Sequence, residues 1–124
     1  MPVLPSDLAA TLVARRQVAN ARELERADRL RARVREVASR LRARGVVDAA
    51  WLVGSLAWGR FGPRSDVDLV VRGADPSRLG ALWADVVEQL GPDASEQVDL
   101  LRFEELAEPF RRRVLGDGQR LDEP

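Results

Sequence analysis

The amino-acid sequence predicts an α/β domain in which a small mixed β-sheet is backed by helices and extended by a long N-terminal helix. Two observations lead to this prediction. The hydrophobic period is helical as far as Gly45 and gives way to short apolar runs beyond it. The predicted elements follow in the order helix, strand, strand, helix, strand, helix, and a chain of 124 residues has the length of one ordinary domain.

The first predicted helix runs from Ser6, a suitable N-cap, to Arg44. This stretch contains neither glycine nor proline, and Gly45 after it is a natural C-terminal stop. A continuous helix of this length would measure about 57 Å, whereas a domain of this size has a radius of gyration of about 14 Å. The helix therefore either projects from the domain or is broken.

An apolar stripe indicates which part of this helix packs on the domain. The residues of the stripe are Leu30, Val34, Val37 and Leu41. We therefore predict that residues 27–124 form the domain, with residues 27–44 docked on its core. Residues 1–26 are predicted to form a looser helical arm. A solvated helical hairpin is the alternative.

The rest of the chain is predicted to form short elements separated by turns. These are strands at 49–53, 67–72 and 98–103, a helical turn at 56–58, helices at 76–90 and 104–115, and a short edge strand at 119–121. Asp75 is the predicted N-cap of the second long helix, with Pro76 at its first position, and Gly116 is predicted to end the last helix. Trp51 and Trp83 lie on apolar faces and are predicted to belong to the core.

The composition excludes several classes of functional site. The sequence contains no Cys, His, Lys or Tyr. Disulfides, thiol nucleophiles, zinc sites of Cys and His, Ser–His machinery and the lysine of a Walker-type phosphate loop are therefore excluded. Any chemistry has to use Asp, Glu, Ser, Thr, Arg, backbone groups or a bound metal.

Charge is unevenly distributed although the net charge is zero. Residues 15–44 contain 11 arginines against four acidic residues, whereas residues 45–124 contain nine arginines against 15 acidic residues. We interpret the arginine-rich part as a solvated helix face with Glu pairs, and without a recognised nucleic-acid module we do not expect a nucleic-acid partner. The sequence shows neither a secretion signal nor an apolar run long enough to span a membrane, so we expect a cytoplasmic protein without a membrane partner.

Asp66 and Asp68 are the most informative residues of the chain. They stand two positions apart at the entrance of a strand, where side chains alternate, so both carboxylates point to the same side. Two carboxylates this close repel unless one is protonated or a cation lies between them. Mg²⁺ suits such oxygen ligands. Gly54 and Ser55 end the preceding strand at a turn that permits close backbone approach and can hold phosphate oxygens.

Asp99 completes a predicted set of three carboxylates. It lies one residue into the third apolar strand, where an acidic side chain is costly unless it is paired or bound to metal. If this strand lies beside the second, two metal ions held there could clamp an in-line displacement at phosphorus. Asp99 would then serve as a base or metal ligand for an attacking hydroxyl.

The order of these residues resembles that of a known family. Gly54-Ser55, then Gly59, then Ser65-Asp66-x-Asp68-Leu69-x-Val71 is similar to the minimal nucleotidyltransferase domain of the polymerase β-like superfamily. Asp99 falls where the family has its third acidic residue. The segment 110–121 is similar to the family's closing helix, glycine turn and short strand. The resemblance covers residues 30–122 and implies the polymerase β-like nucleotidyltransferase fold.

The resemblance implies an enzyme that transfers a nucleoside monophosphate from a nucleoside triphosphate to a hydroxyl. It implies Mg²⁺, as two ions bound by Asp66, Asp68 and Asp99, and a triphosphate held by Gly54 and Ser55. Small members of the family are often antitoxins encoded beside a helical HEPN ribonuclease toxin, and some inactivate that toxin by adding AMP to it. We therefore predict an antitoxin that transfers AMP from ATP to a partner HEPN-type toxin.

The loop after Ser55 departs from the family pattern. The family often has an arginine where this chain has Trp58, for which packing is the preferred interpretation over stacking on a nucleotide base. We expect Arg60 or Arg64 to supply the missing charge, and we include both with Ser65 among the nucleotide-binding residues. The alternative is that the two arginines are solvated.

Other interpretations remain open. Asp66 and Asp68 could be a turn pair, Asp99 a solvated edge-strand residue and Ser55 a turn cap. An antitoxin could also neutralise its toxin by masking it, with the helix at 6–44 as the docking element. A small-molecule nucleotidyltransferase is a third possibility, but the chain has no room for an acceptor domain, so its acceptor pocket would require a homo-oligomer.

Overall fold

A four-stranded mixed sheet organises the chain in the computed structural model, which describes residues 6–58, 66–94 and 97–121. The elements are α1 (Ser6–Ala43), β1 (Ala49–Val53), α2 (Gly54–Trp58), β2 (Val67–Arg72), α3 (Leu79–Leu90), β3 (Val98–Arg102), α4 (Glu108–Asp117) and β4 (Gln119–Arg120). Short 3₁₀ turns lie at Pro76–Arg78, Gly91–Ala94 and Phe103–Glu105. The predicted α/β class, the mixed sheet and the long first helix are confirmed.

The sheet has the strand order β3-β2-β1-β4. Strands β1 and β2 run antiparallel, as do β1 and β4, whereas β2 and β3 run parallel. The parallel pair needs a crossover connection, and α3 provides it. Strand β1 lies inside the sheet and is buried along its whole length, which explains why its sequence is a continuous apolar run.

Two apolar layers cover the two faces of the sheet. The larger layer includes Leu52, Leu69 and Val71 from the strands and the buried sides of α1 and α3. The smaller layer, under α4, contains Trp51, Val53, Val70 and Val114. Because alternate residues of a strand face opposite sides, Asp68 lies on the α4 side together with Val70.

Helix α1 is continuous from Ser6 to Ala43, so the hairpin alternative is not observed. Its C-terminal half is buried against the larger layer through Ala27, Leu30, Val34, Val37, Ala38 and Leu41. Gly45, at φ 72°, follows its end. Large apolar residues nearer the N-terminus are exposed, including Leu8, Leu12, Val13, Val18 and Leu24. A domain boundary after residue 26 stays a prediction.

The last helix differs from the prediction of a single helix at 104–115. Residues Phe103–Glu105 form a 3₁₀ turn, and α4 begins only at Glu108. The cause is Pro109, which lacks a backbone N–H and is tolerated only in the first turn of a helix. The helix continues through Gly116 and ends at Asp117, so the predicted stop at Gly116 is wrong.

Trp51 is buried as predicted, but Trp83 is not part of the core. The Trp83 side chain is 38% exposed, and its indole Nε1 donates a hydrogen bond of 2.7 Å to the carbonyl of Val98. An indole ring packs on apolar surface, whereas its N–H requires an acceptor. For Trp83 that acceptor is the carbonyl of Val98 at the start of β3, so the ring stays partly exposed between α3 and this strand. No helix in the described parts of the chain is both long and apolar enough to cross a membrane.

Replacing Leu30 by alanine is expected to destabilise the fold far more than the same change at Leu24. Leu30 is fully buried, whereas Leu24 on the same helix is 66% exposed. Leu30→Ala leaves a cavity and should lower the free energy of unfolding by about 2–5 kcal/mol. Leu24→Ala should change it by less than about 0.5 kcal/mol. Urea denaturation of both variants measures the difference, and equal losses would contradict the packing of α1 described above.

Candidate active site

Three acidic side chains converge on the α4 side of the sheet. In the parallel pair of strands, Asp68 of β2 is the register partner of Asp99 of β3. Asp66 lies two residues before Asp68 and therefore faces the same side. One carboxylate oxygen of each residue lies within 4.8 Å of the others. Asp66 and Asp99 are exposed and Asp68 is half-buried, so the cluster opens to solvent.

Gly54 makes room for the innermost of these carboxylates. It follows β1, whose last residue Val53 is the register partner of Asp68, and it adopts a φ of 77° that side chains rarely allow. A Cβ at Gly54 would overlap the Asp68 carboxylate. The close backbone approach expected from the sequence is therefore an approach to Asp68 itself.

The surroundings of the Asp68 carboxyl disfavour its ionised form. Its pKa is raised to about 6, first by partial burial, then by the charge and hydrogen bond of Asp99, and finally by the charge of Asp66. Without a cation, Asp68 is therefore driven to take up a proton at mildly acidic pH. A divalent cation would relieve the same repulsion.

The cluster fits a hard divalent cation. Its donors are carboxylate oxygens alone, they are close enough for one ion to contact several of them, and two of the three side chains are exposed. Mg²⁺ prefers carboxylate oxygens and keeps several bound waters, which such an open site allows. Asp66, Asp68 and Asp99 are therefore the residues that could hold it.

The predicted nucleotide-binding residues are only partly described by the structure. Gly54 and Ser55 begin α2, where Gly54 lies against the Asp68 carboxylate, and Ser55 is half-buried. The other predicted members of this group, Arg60, Arg64 and Ser65, lie outside the described residues, as does the side chain of Trp58.

A cavity of about 280 Å³ lies beside the acidic cluster. Its lining residues are Val53, Gly54, Asp68, Leu101, Phe110, Arg113 and Val114. Neither Phe110 nor Arg113 was assigned a role in the site from the sequence. For Phe110 the available signal was its spacing of four from Val114, since residues three and four apart share one face of a helix. Arg113, which is adjacent to Val114, carried no such signal.

Asp68→Asn is expected to stabilise the metal-free protein more at pH 8 than at pH 4. The folded-state pKa of Asp68, about 6, lies above its ordinary value of 3.8, so the folded protein loses stability as the pH rises through this window. Asparagine removes a charge that is costly above pH 6 and resembles the protonated carboxyl below it. The expected result in EDTA is a Tm raised by a few degrees at pH 8, with little change at pH 4.

Asp93→Asn is the control with the opposite sign. The pKa of Asp93 is lowered, chiefly by its hydrogen bond with Arg29, so its stabilising contribution is present above the ordinary carboxyl pKa and lost as the pH falls. Its replacement should lower the Tm at pH 8. A lower Tm for Asp68→Asn at pH 8 would contradict the electrostatic description of the cluster.

Comparison with known families agrees with this geometry. A family model described as "Polymerase beta, Nucleotidyltransferase" matches residues 35–123, which include the three acidic residues, Gly54 and Ser55. No curated protein sequence matches the chain significantly. The matched segment covers more than half of the chain and contains the whole sheet. The chain therefore belongs to the polymerase β nucleotidyltransferase family.

Proposed function

We propose that this protein is a Mg²⁺-dependent nucleotidyltransferase that transfers AMP from ATP to a hydroxyl group. The observation that carries the proposal is the convergence of Asp66, Asp68 and Asp99 within a chain of the polymerase β nucleotidyltransferase family. Family membership supports nucleotidyl transfer in general. The choice of ATP and of a hydroxyl acceptor goes beyond it and rests on the resemblance described above.

The proposed reaction is an in-line displacement at the α-phosphorus of ATP. The acceptor oxygen forms a bond to the α-phosphorus, and the bond from that phosphorus to the oxygen bridging to the β-phosphate breaks. Pyrophosphate carries away the bonding electrons. The hydroxyl proton passes to a carboxylate, for which we propose Asp99, because it falls where the family has its third acidic residue.

Asp66, Asp68 and Asp99 would also hold the metal, which we propose to be two Mg²⁺ ions. When bound, Mg²⁺ neutralises the charge that develops on the phosphoryl and leaving oxygens. The strand register of β2 and β3 brings Asp68 beside Asp99, and Asp66 precedes β2 on the same side. Gly54 and Ser55, with Arg60, Arg64 and Ser65, are proposed to bind the triphosphate.

We propose a protein as the acceptor, specifically a partner toxin of the HEPN type, with the present chain as its cytoplasmic antitoxin. Leu101 and Phe110 line the cavity beside the acidic cluster, and they are 38% and 41% exposed. Such apolar surface next to a reactive site favours contact with another protein over a small polar acceptor. The identity of the toxin rests on the family resemblance.

Masking without catalysis is the second candidate function. The N-terminal half of α1 carries exposed large apolar residues, among them Leu12 and Leu24, and these could dock on a toxin directly. In this case the acidic cluster would be vestigial. The two functions differ in whether the carboxylates are needed for protection.

Transfer is tested by incubating the protein with ATP labelled at the α-phosphate, Mg²⁺ and the toxin encoded beside it. We expect labelled toxin, and Asp66→Asn or Asp68→Asn should reduce labelling about 100-fold or more, because stabilisation of developing charge is commonly the largest catalytic contribution. Asp85→Asn is the matched control, since Asp85 pairs with Arg44 away from the cluster. If Asp66→Asn still protects cells from the toxin, masking replaces catalysis as the proposed function.

Metal binding is tested separately from transfer. Mg²⁺ alone should raise the Tm of the unaltered protein, because a ligand that binds only the folded state stabilises it. The rise should be lost in Asp68→Asn and retained in Asp85→Asn, with both followed by thermal denaturation across a Mg²⁺ titration after treatment with EDTA. An equal rise in Asp68→Asn would refute the assignment of the cluster as the metal site.

A further inference from the structure

Helix α2, which carries Ser55, is too short to provide hydrogen-bond donors for its own last backbone carbonyls. A helix leaves its last four carbonyls without intrahelical partners, and α2 has only five residues. Its Leu56 and Ala57 are buried, at 0% and 8% exposure. Water therefore has little access to these carbonyls, and the protein has to supply the donors.

Two side chains from distant parts of the chain supply them. The Nε of Arg31 in α1 donates to the carbonyl of Leu56 at 2.8 Å, and the Nε2 of Gln119 in β4 donates to the carbonyl of Ala57 at 2.8 Å. Asp28 accepts a further hydrogen bond of 3.1 Å from Nη1 of Arg31 and so orients its guanidinium. The C-terminal end of α2 is thus tied to both the first helix and the last strand.

The other end of α2 is fixed by the acidic cluster. Gly54 lies against the Asp68 carboxylate and leaves no space for a side chain. The first residue of α2 is therefore fixed by its contact with Asp68, and the C-terminal end of α2 is fixed by hydrogen bonds from Arg31 and Gln119. Ser55 lies between these two anchored ends. A shift of the end of so short a helix would displace Ser55 relative to Asp68.

We propose that Arg31 and Gln119 are positioning residues, which hold α2 so that Ser55 meets the phosphates of a nucleotide bound at the acidic cluster. The inference rests on the proposed function of Ser55. Arg31 lies before residues 35–123, the segment that matches the family. The N-terminal helix therefore supports the proposed nucleotide site from outside it, through a charge-assisted hydrogen bond of the stronger kind.

Arg33 provides a matched control on the same helix. Its Nη1 donates to the carbonyl of Leu90 at 2.8 Å, at the end of α3. Leu90, like Leu56, is fully buried. Arg31→Met and Arg33→Met therefore remove the same type of side chain and the same type of bond, but only the first bond holds α2.

The test measures binding of Mg²⁺ with a non-hydrolysable ATP analogue to the full chain by calorimetry. Loss of a residue that orients a metal ligand commonly weakens binding about 10–100-fold. By analogy, we expect at least a tenfold loss for Arg31→Met and less than a twofold change for Arg33→Met. Gln119→Leu should weaken binding in the same direction. Arg31→Lys, which keeps a cationic donor, should recover part of the affinity.

Hydrogen exchange distinguishes positioning from general destabilisation. Amides of residues 54–58 should exchange faster in Arg31→Met, whereas Arg33→Met should accelerate exchange at the end of α3. Equal binding by the two methionine variants, or unchanged exchange at 54–58 in Arg31→Met, would overturn the inference. Failure of the unaltered protein to bind the Mg²⁺–nucleotide would instead overturn the proposed function, and the positioning role with it.

Discussion

Asp68 holds a negative charge where the folded chain makes that charge costly. Partial burial and the neighbouring Asp99 both raise its pKa, and the backbone of Gly54 closes one side of its carboxylate. Folding places the carboxylates together although their mutual repulsion opposes it. Such an arrangement is typical of functional sites, where local stability is lower than it could be and the ligand restores it.

The parallel pairing of β2 with β3 creates this arrangement. Asp68 and Asp99 are 31 positions apart in the sequence and become direct register partners only because α3 returns the chain to the same edge in the same direction. A slip of one residue in β3 would turn Asp99 to the opposite face. Val98 and Leu100, which pack with the larger apolar layer, oppose that slip. The apolar core thus fixes the geometry of the acidic site.

Local pattern was enough to predict most of the elements and the pair Asp66 and Asp68, whereas Asp99 joined the predicted site through the family resemblance and on the condition that its strand lies beside the second. The strand at 49–53 is bounded by a glycine and is apolar throughout, and the spacing of Asp66 and Asp68 needs only the alternation of a strand. The failures have local physical causes as well. Pro109 delays α4, and the indole N–H of Trp83 keeps its ring at the edge of α3 beside its carbonyl partner.

Residues that act through distant contacts could not be predicted in this way. Arg31 reaches a carbonyl 25 residues away, and Gln119 reaches one 62 residues away. Nothing in the sequence around either residue distinguishes it from neighbouring polar positions. Arg113 likewise joins the cavity only because α4 packs beside the end of β1. Such contacts depend on the tertiary fold, which local periodicity does not encode.

The arginine-rich first helix shows how the tertiary fold changes the meaning of composition. Arg26, Arg31 and Arg33 each donate to a backbone carbonyl in a later part of the chain, at Asp93, Leu56 and Leu90. The guanidinium suits this use because it stays charged and offers several donors in a fixed plane, whereas lysine presents a compact, strongly hydrated charge. These arginines therefore make hydrogen bonds within the domain. Part of the positive charge of α1 thus serves to attach this helix to later segments of the chain.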